Sequence, residues 1–301
     1  KRRENSEGIR IALSYRPPYD WKAVLAFLAY RAIPGVEAVT DNSYSRSFVL
    51  DGVQGDFQAE FVDDRNVIEV TINYSESRHL YHIIDRIKSI FDLRADSEQI
   101  AEHLSRDKLL RPMVKRFPGS RVPGCWDGLE VAVRAILGQQ VTVKAASTLV
   151  SRIVHRHGAR YEGSVEGLTH TFPSADVLKD ADLNELGIVG ARIQAIQSLA
   201  RRVVEGSLKI DCSVDTEVLI NAICEIKGIG EWTAHYIAMR ALNDPNAFPY
   251  SDLILRRAAA PEGETLTPKQ LKERAEPWQP WRAYSVILLW RNHGWRRQGG
   301  Y

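Results

Sequence analysis

The stretch LINAICEIKGIGEWTAHYIAMRAL, residues 219 to 242, decides how the chain is read. Two apolar runs of helical period flank Lys227-Gly228-Ile229-Gly230, whose glycines permit a tight hairpin. Such a turn leaves backbone N–H groups without intrahelical partners at the start of the second helix, and those donors suit a phosphate oxygen. A plain packing corner between two helices would carry the same short pattern. The flanking sequence has to separate the two readings.

Outward from the hairpin, helical patterns dominate everything beyond Ala95. They cover 126–140, 141–158, 175–187, 192–206, 215–226, 231–242, 267–276 and 280–294, with Gly158 as a stop signal and Thr267-Pro268 and Pro280 in cap and first-turn roles. The first third reads differently. IRIALSY (9–15) alternates like a strand, DWKAVLAFLAYRA (20–32) is an apolar helix capped by Asp20, and four β-type runs separated by Asp/Asn/Gly turns follow before a helix over 77–93. The expected fold is α+β: an antiparallel meander with two helices over 9–95, similar to a TATA-binding-protein half, then an all-α unit of two lobes over 96–301. Residues 1–8 read as a leader or linker.

With 301 residues, 44% of them hydrophobic and 26% charged, the chain can bury a sizeable core. It has no apolar run of membrane-spanning length and no apolar stretch at its start, so a cytoplasmic protein is expected. Cys125, Cys212 and Cys224 match no metal spacing and read as reduced thiols. The net charge of +2 conceals an asymmetry: residues 1–100 carry 13 Lys/Arg against 16 Asp/Glu, and the remainder 27 against 22. Between 131 and 160 stand Arg134, Lys144, Arg152, Arg156 and Arg160 with no acidic residue, a set that could touch phosphates or could simply be a solvated helix face.

Ten residues beyond the hairpin's second helix, FPYSDLILRR (248–257) presents Asp252. Hairpin, loop and aspartate together resemble the helix–hairpin–helix DNA glycosylase superfamily. YRPPYDWKAVLAFLAYRAIPGVE (15–37), RVPGCWDGLEVAVRAILGQQVTVKAA (121–146) and PWRAYSVILLWRNHGW (280–295) resemble its alkylation-repair branch, the 3-methyladenine DNA glycosylase II type. The resemblance covers nearly the whole chain past residue 14.

That resemblance implies a DNA-repair enzyme that flips alkylated, cationic purines out of duplex DNA and hydrolyses the N-glycosidic bond. Asp252 carries over to the aspartate that serves the sugar, although taken alone it reads as the N-cap of the next helix, and both roles can coexist. Trp232 stands where strand-cutting relatives place a nucleophilic lysine, which implies water as nucleophile and an abasic product. Trp290, Trp232 and Tyr236 match positions lining the base pocket, where electron-rich rings would stack on a cationic base. Trp278, Trp281 and Trp295 read as packing residues. Gly228, Ile229, Gly230 and Thr233 of the hairpin, with Gln139 and Gln140 of the turn that fills the gap left by the extruded nucleotide, are the DNA-binding candidates. Gln140 replaces a bulky aliphatic wedge.

No organic cofactor or catalytic metal is implied. The hairpin of this family can hold a structural monovalent cation through backbone carbonyls, here near Cys224, Ile226 and Ile229. The implied partner is double-stranded DNA containing alkylated bases, bound by a monomer on the bacterial nucleoid and sometimes fused to an upstream regulatory module. Two alternatives stay open: a non-catalytic helix–hairpin–helix DNA-binding module, and a glycosylase for neutral lesions such as hypoxanthine.

Overall fold

The structure, a computed structural model, describes residues 8–297. The expected leader, apart from Gly8, and the side chain of Trp295 lie outside what is described. Five strands, β1 (Ile9–Ser14), β2 (Glu37–Val39), β3 (Ser43–Leu50), β4 (Val53–Val62) and β5 (Val67–Asn73), form one antiparallel sheet in the order β1-β5-β4-β3-β2. The meander is therefore β2 to β5, and β1 adds to its far edge. Asp51 and Gly52, both at positive φ, make the two-residue turn that joins β3 to β4. Alternation sets the faces: Ile68, Val70 and Ile72 of β5 are buried beside Phe57 and Ala59 of β4, in the register Phe57 to Ile72 and Ala59 to Val70.

Two helices cover that apolar face. Helix α1 (Trp21–Ala29), whose N-cap Asp20 accepts the Ala23 N–H, contributes Trp21, Val24, Leu25 and Leu28, and α2 (Leu80–Ile90) contributes Ile83, Ile87 and Ile90. The rest is helical: α3 (Ser97–Leu104), α4 (Arg111–Arg116), α5 (Gly128–Leu137), α6 (Val143–His157), α7 (Ala175–Leu178), α8 (Gly190–Val204), α9 (Thr216–Cys224), α10 (Glu231–Ala241), α11 (Leu253–Ala258), α12 (Pro268–Arg274) and α13 (Arg282–Arg297). At its centre lies α5, of which every residue but Arg134 is buried, packed against α6, α8 and α10. Among the described residues no helix is long and apolar enough to cross a membrane.

Three local expectations change, and a fourth, Gly158 as a stop, holds. Helices α3 and α4 lie within the expected all-α unit but in a stretch for which no individual helix was read. The helix expected over 175–187 stops at Leu178, because Asp182 bonds the backbone and side chain of Asn184 and Gly187 turns at φ +79°. Gly158 does end α6, but with extended backbone; it is needed there because a Cβ would meet Thr171 O at 2.4 Å and Val154 O at 2.6 Å. Pro280 lies ahead of α13 instead of in its first turn. Thr267 and Gln270, in contrast, form a capping box with Pro268 in the first turn of α12.

The two cores exchange residues across the seam. Ile33 and Val36, from the strand-bearing half, pack into the helical core, while Trp126 enters the sheet's core and stacks on Phe48 with ring centroids 4.4 Å apart. This interlocking fixes the segment after α1 against α5 and α10, which matters for the site.

Candidate active site

The hairpin forms as its glycines require. Gly228 turns at φ +95°, Ile229 closes the bend by donating to Ile226 O at 3.0 Å, and Gly230 caps α10. The N–H groups of Glu231, Trp232 and Thr233 then point out of the first turn with no partner among the described residues. Ile229 and Thr233 have buried side chains, so only their backbones can meet a ligand, whereas Gly228 and Gly230 are exposed.

Asp252 is the N-cap of α11, and its Oδ1 accepts the Leu255 N–H at 2.9 Å. Its carboxylate also receives two indoles: Trp232 Nε1–H donates to Oδ2 at 2.9 Å, and Trp290 Nε1–H approaches Oδ1 at 3.5 Å. Cap and indoles together fix the direction of a half-buried carboxylate. Trp232 and Tyr236, four residues apart on α10, share a face and stack at 5.7 Å with 10° between their planes. Trp290, brought in by α13 where it packs on α11, lies 6.4 Å from Tyr236 at 46°. The four residues that the sequence nominated for catalysis and base recognition therefore meet in one place.

Tyr236 has further partners that sequence reasoning missed. Its hydroxyl oxygen accepts from Arg240 Nη1 at 2.9 Å, and the buried Arg31 guanidinium lies close enough to act on it through its charge. Burial alone would push its phenol up, but Arg240, Arg31 and Arg134 outweigh burial and bring it down to about 8. Arg31 stacks on Phe27, guanidinium carbon 3.7 Å from the ring centroid, and its carbonyl accepts from Arg134. The nearest signal was the basic residue in LAYRAIPGVE, set in an otherwise apolar run.

The basic stretch 131–160 is mostly engaged within the protein. Arg134 is a correction: it bonds Glu37 at 3.0 Å and Glu130 at 3.2 Å and does not face solvent as a phosphate contact would. Arg152 donates to Leu186 O and Arg156 faces Asp182 and Glu185, which leaves Lys144 and Arg160 exposed. Gln139 is also occupied, its amide donating to Gly228 O at 3.0 Å and to Thr233 Oγ1 at 3.1 Å, so it clamps the hairpin to the α5–α6 turn. Gln140 stands exposed beside it in left-handed conformation, φ +56°. Trp278 is buried, edge-on to Phe248 and bonded to Asp107, and Trp281 packs on Tyr284. The described residues hold no cluster of three or more His, Cys, Asp or Glu able to bind a metal.

A helix–hairpin–helix followed by an aspartate, joined to an antiparallel sheet with two helices, defines a base-excision repair class of fold. The family models agree: residues 10–127 match the AlkA N-terminal domain and residues 133–282 the HhH-GPD superfamily base excision DNA repair protein. DNA-3-methyladenine glycosylase 2 of Escherichia coli is 32% identical over 94% of this chain and 98% of its own length. The probable bifunctional transcriptional activator/DNA repair enzyme AlkA of Mycobacterium tuberculosis is 36% identical over 94% of this chain, which spans 56% of that relative. In structure, the 3-methyladenine DNA-glycosylase of Archaeoglobus fulgidus has the same fold, with a TM-score of 0.83 at 24% identity, covering 96% of this chain and 99% of that one. The chain belongs to the AlkA-type DNA-3-methyladenine glycosylase family.

Proposed function

We propose that this chain excises alkylated purines from double-stranded DNA as a monofunctional glycosylase. The observation that carries the reading is the Asp252 carboxylate, aimed by the Trp232 and Trp290 indoles at the edge of the Trp232–Tyr236–Trp290 aromatic group.

The chemistry follows from those groups. The hairpin N–H donors hold a phosphate, and Gln140 fills the space left in the duplex as the nucleotide swings out, offsetting the few kcal/mol that extrusion costs. A cationic purine stacks on the rings. The C1′–N bond breaks with its electron pair passing to the base nitrogen, which makes the base neutral and puts positive charge on the sugar. Asp252 opposes that charge, water adds to C1′ and gives up a proton, and an abasic site remains. No amine stands at the Trp232 position to form an imine.

A structural monovalent cation is supported by the carbonyls of Cys224 and Ile229, which accept no backbone hydrogen bond among the described residues, with Ile226 alongside. Such an ion would orient the hairpin. The bifunctional name of the M. tuberculosis relative supports fusion to a regulatory module as a form this kind of chain can take.

The test is release of 3-methyladenine from alkylated duplex DNA by the wild type and by Asp252→Asn. Equal release by both would overturn the reading. Salt-sensitive DNA binding with no release by either would leave the non-catalytic module, against which the aimed carboxylate argues.

A further inference from the structure

Behind the aromatic group lies a buried polar cluster on the seam between sheet and helices. A cavity of about 20 Å³, room for about one water, is lined by Arg31, Glu37, Arg46, Glu130, Arg134 and Arg240. Arg46 pairs with Glu130 at 2.6 Å, and Arg134 bridges Glu37 and Glu130. Four arginines face two glutamates, so two positive charges have no carboxylate of their own. Among the described residues neither Arg31 nor Arg240, the two arginines that act most strongly on Tyr236, has a carboxylate partner, and the Nε of Arg240 is buried without one.

Resting on the alkylpurine reading above, we infer that Tyr236 is the residue through which the pocket responds to the charge of the extruded base, and that Arg31, from the segment after α1, is its positioning residue. With its proton in place, Tyr236 leaves the base stacked in front of a net positive cluster that repels a cationic purine. When the phenol gives its proton to solvent, one of the two excess charges is offset at the ring that touches the base. A neutral base is indifferent to the change.

The groups that face Tyr236 agree with this. Arg31 comes from the segment after α1, Arg134 from α5 and Arg240 from its own helix, while Glu130 of α5 lines the cavity behind them, paired with Arg134 and Arg46. Glu37 of β2 and Arg46 of β3 lie behind them, and the Cys125 thiol nearby is pushed up to about 12 by burial and stays neutral. Asp252 faces the rings through the two indoles. From α13 comes the Trp290 ring, while its neighbour Arg291 is paired with Asp20. The fall of the phenol to about 8 supports the geometry. Because positive charge leaves the base for the sugar as the bond breaks, the effect belongs in KM more than in kcat.

Two measurements test it. Near-ultraviolet absorbance, read on the full chain without DNA, should reveal a tyrosinate forming near pH 8 that is missing from Tyr236→Phe. Its midpoint should climb toward the ordinary tyrosine range in Arg31→Gln and stay low in Arg31→Lys. No such tyrosinate, or identical midpoints in the two Arg31 variants, overturns the inference whatever the excision activity. In steady-state assays, KM for 3-methyladenine duplexes should fall as pH rises to about 8, by up to about tenfold per unit, and then level. KM for hypoxanthine duplexes should stay flat, and Tyr236→Phe should flatten both. Equal pH response for the two bases overturns the inference; failure of the wild type to release 3-methyladenine at all removes the alkylpurine reading, and with it the role of Tyr236 in base choice.

Discussion

At Asp252 two roles share one carboxylate, and they can be pulled apart. Asparagine caps a helix about as well as aspartate, so Asp252→Asn should keep α11 and change the melting temperature little. It removes the negative charge at the sugar, and single-turnover excision should fall by about 10²–10³-fold, the scale of losing one transition-state partner. A large fall in melting temperature alongside the lost activity would mean that the cap alone explains the residue. Trp232→Phe is the complementary case: the ring remains to stack on Tyr236, but the indole N–H to Oδ2 is gone. A hydrogen bond to a charged group is worth roughly 1.5–3 kcal/mol, so kcat should drop by roughly ten- to hundredfold with KM little changed. A rise in KM with unchanged kcat would show that Trp232 holds the base and does not aim the carboxylate. Asp252, Trp232, Tyr236 and Trp290 could be nominated from the sequence because the hairpin, loop and aspartate resemble a known family and these positions carry over from it; taken alone, Asp252 reads only as a helix cap. Arg240, four residues after Tyr236, was within reach of plain helical spacing, but Arg31 was not, because a lone arginine at the end of an apolar helix looks alike whether it snorkels to solvent or meets a tyrosine some 200 residues away.

At the scale of the element, the hairpin's two glycines do different jobs. Gly228 needs its φ of +95°, and Gly228→Ala should lower stability by roughly 1–2 kcal/mol, read by urea unfolding. Gly230 has φ −101°, and a Cβ there would meet nothing within 4 Å. Gly230→Ala should therefore unfold within about 0.5 kcal/mol of the wild type, yet its methyl would stand beside the N–H groups of α10. Affinity for an undamaged duplex, read by fluorescence anisotropy at fixed salt, should weaken by about tenfold, or ~1.4 kcal/mol. Unchanged affinity would mean that phosphate is held elsewhere. This turn was legible because a tight hairpin between two helices needs a backbone form that little but glycine adopts, and the strands were legible because alternation has period two. The position of β1 beside β5 was not, since pairing between distant strands leaves no mark on either one's local pattern. The α5–α6 turn was half legible: its position followed from the glycine and glutamines, but only the fold separates Gln139, bound to Gly228 and Thr233, from Gln140, which is exposed.

Across the whole molecule, Asp92 ties the sheet-bearing part to the last helix. Its Oδ2 accepts the Val122 N–H at 3.0 Å and the Tyr284 O–H at 2.9 Å, from a left-handed backbone at φ +52°. Burial pushes the carboxyl up to about 6, against an ordinary 3.8, and the Val122 bond, Arg121 and Tyr284 offset only part of that. A carboxyl raised on folding binds its proton more tightly in the native state, so its contribution to stability is complete below about pH 4 and is lost as pH climbs through about 6. Two units correspond to roughly 3 kcal/mol. Asparagine tolerates the left-handed backbone and keeps an oxygen for both donors, which makes Asp92→Asn the right comparison. Other carboxylates, Glu37 among them, are held low by their arginine partners despite burial and strengthen the fold as pH rises, so the wild type alone would mix opposing trends. The informative quantity is the difference in unfolding free energy between variant and wild type, measured in urea from about pH 4 to about pH 7. It should shift in the variant's favour by up to about 3 kcal/mol over that range. A difference that does not change with pH would mean that Asp92 is not buried as a titrating group and that the seam is wetter than its packing indicates.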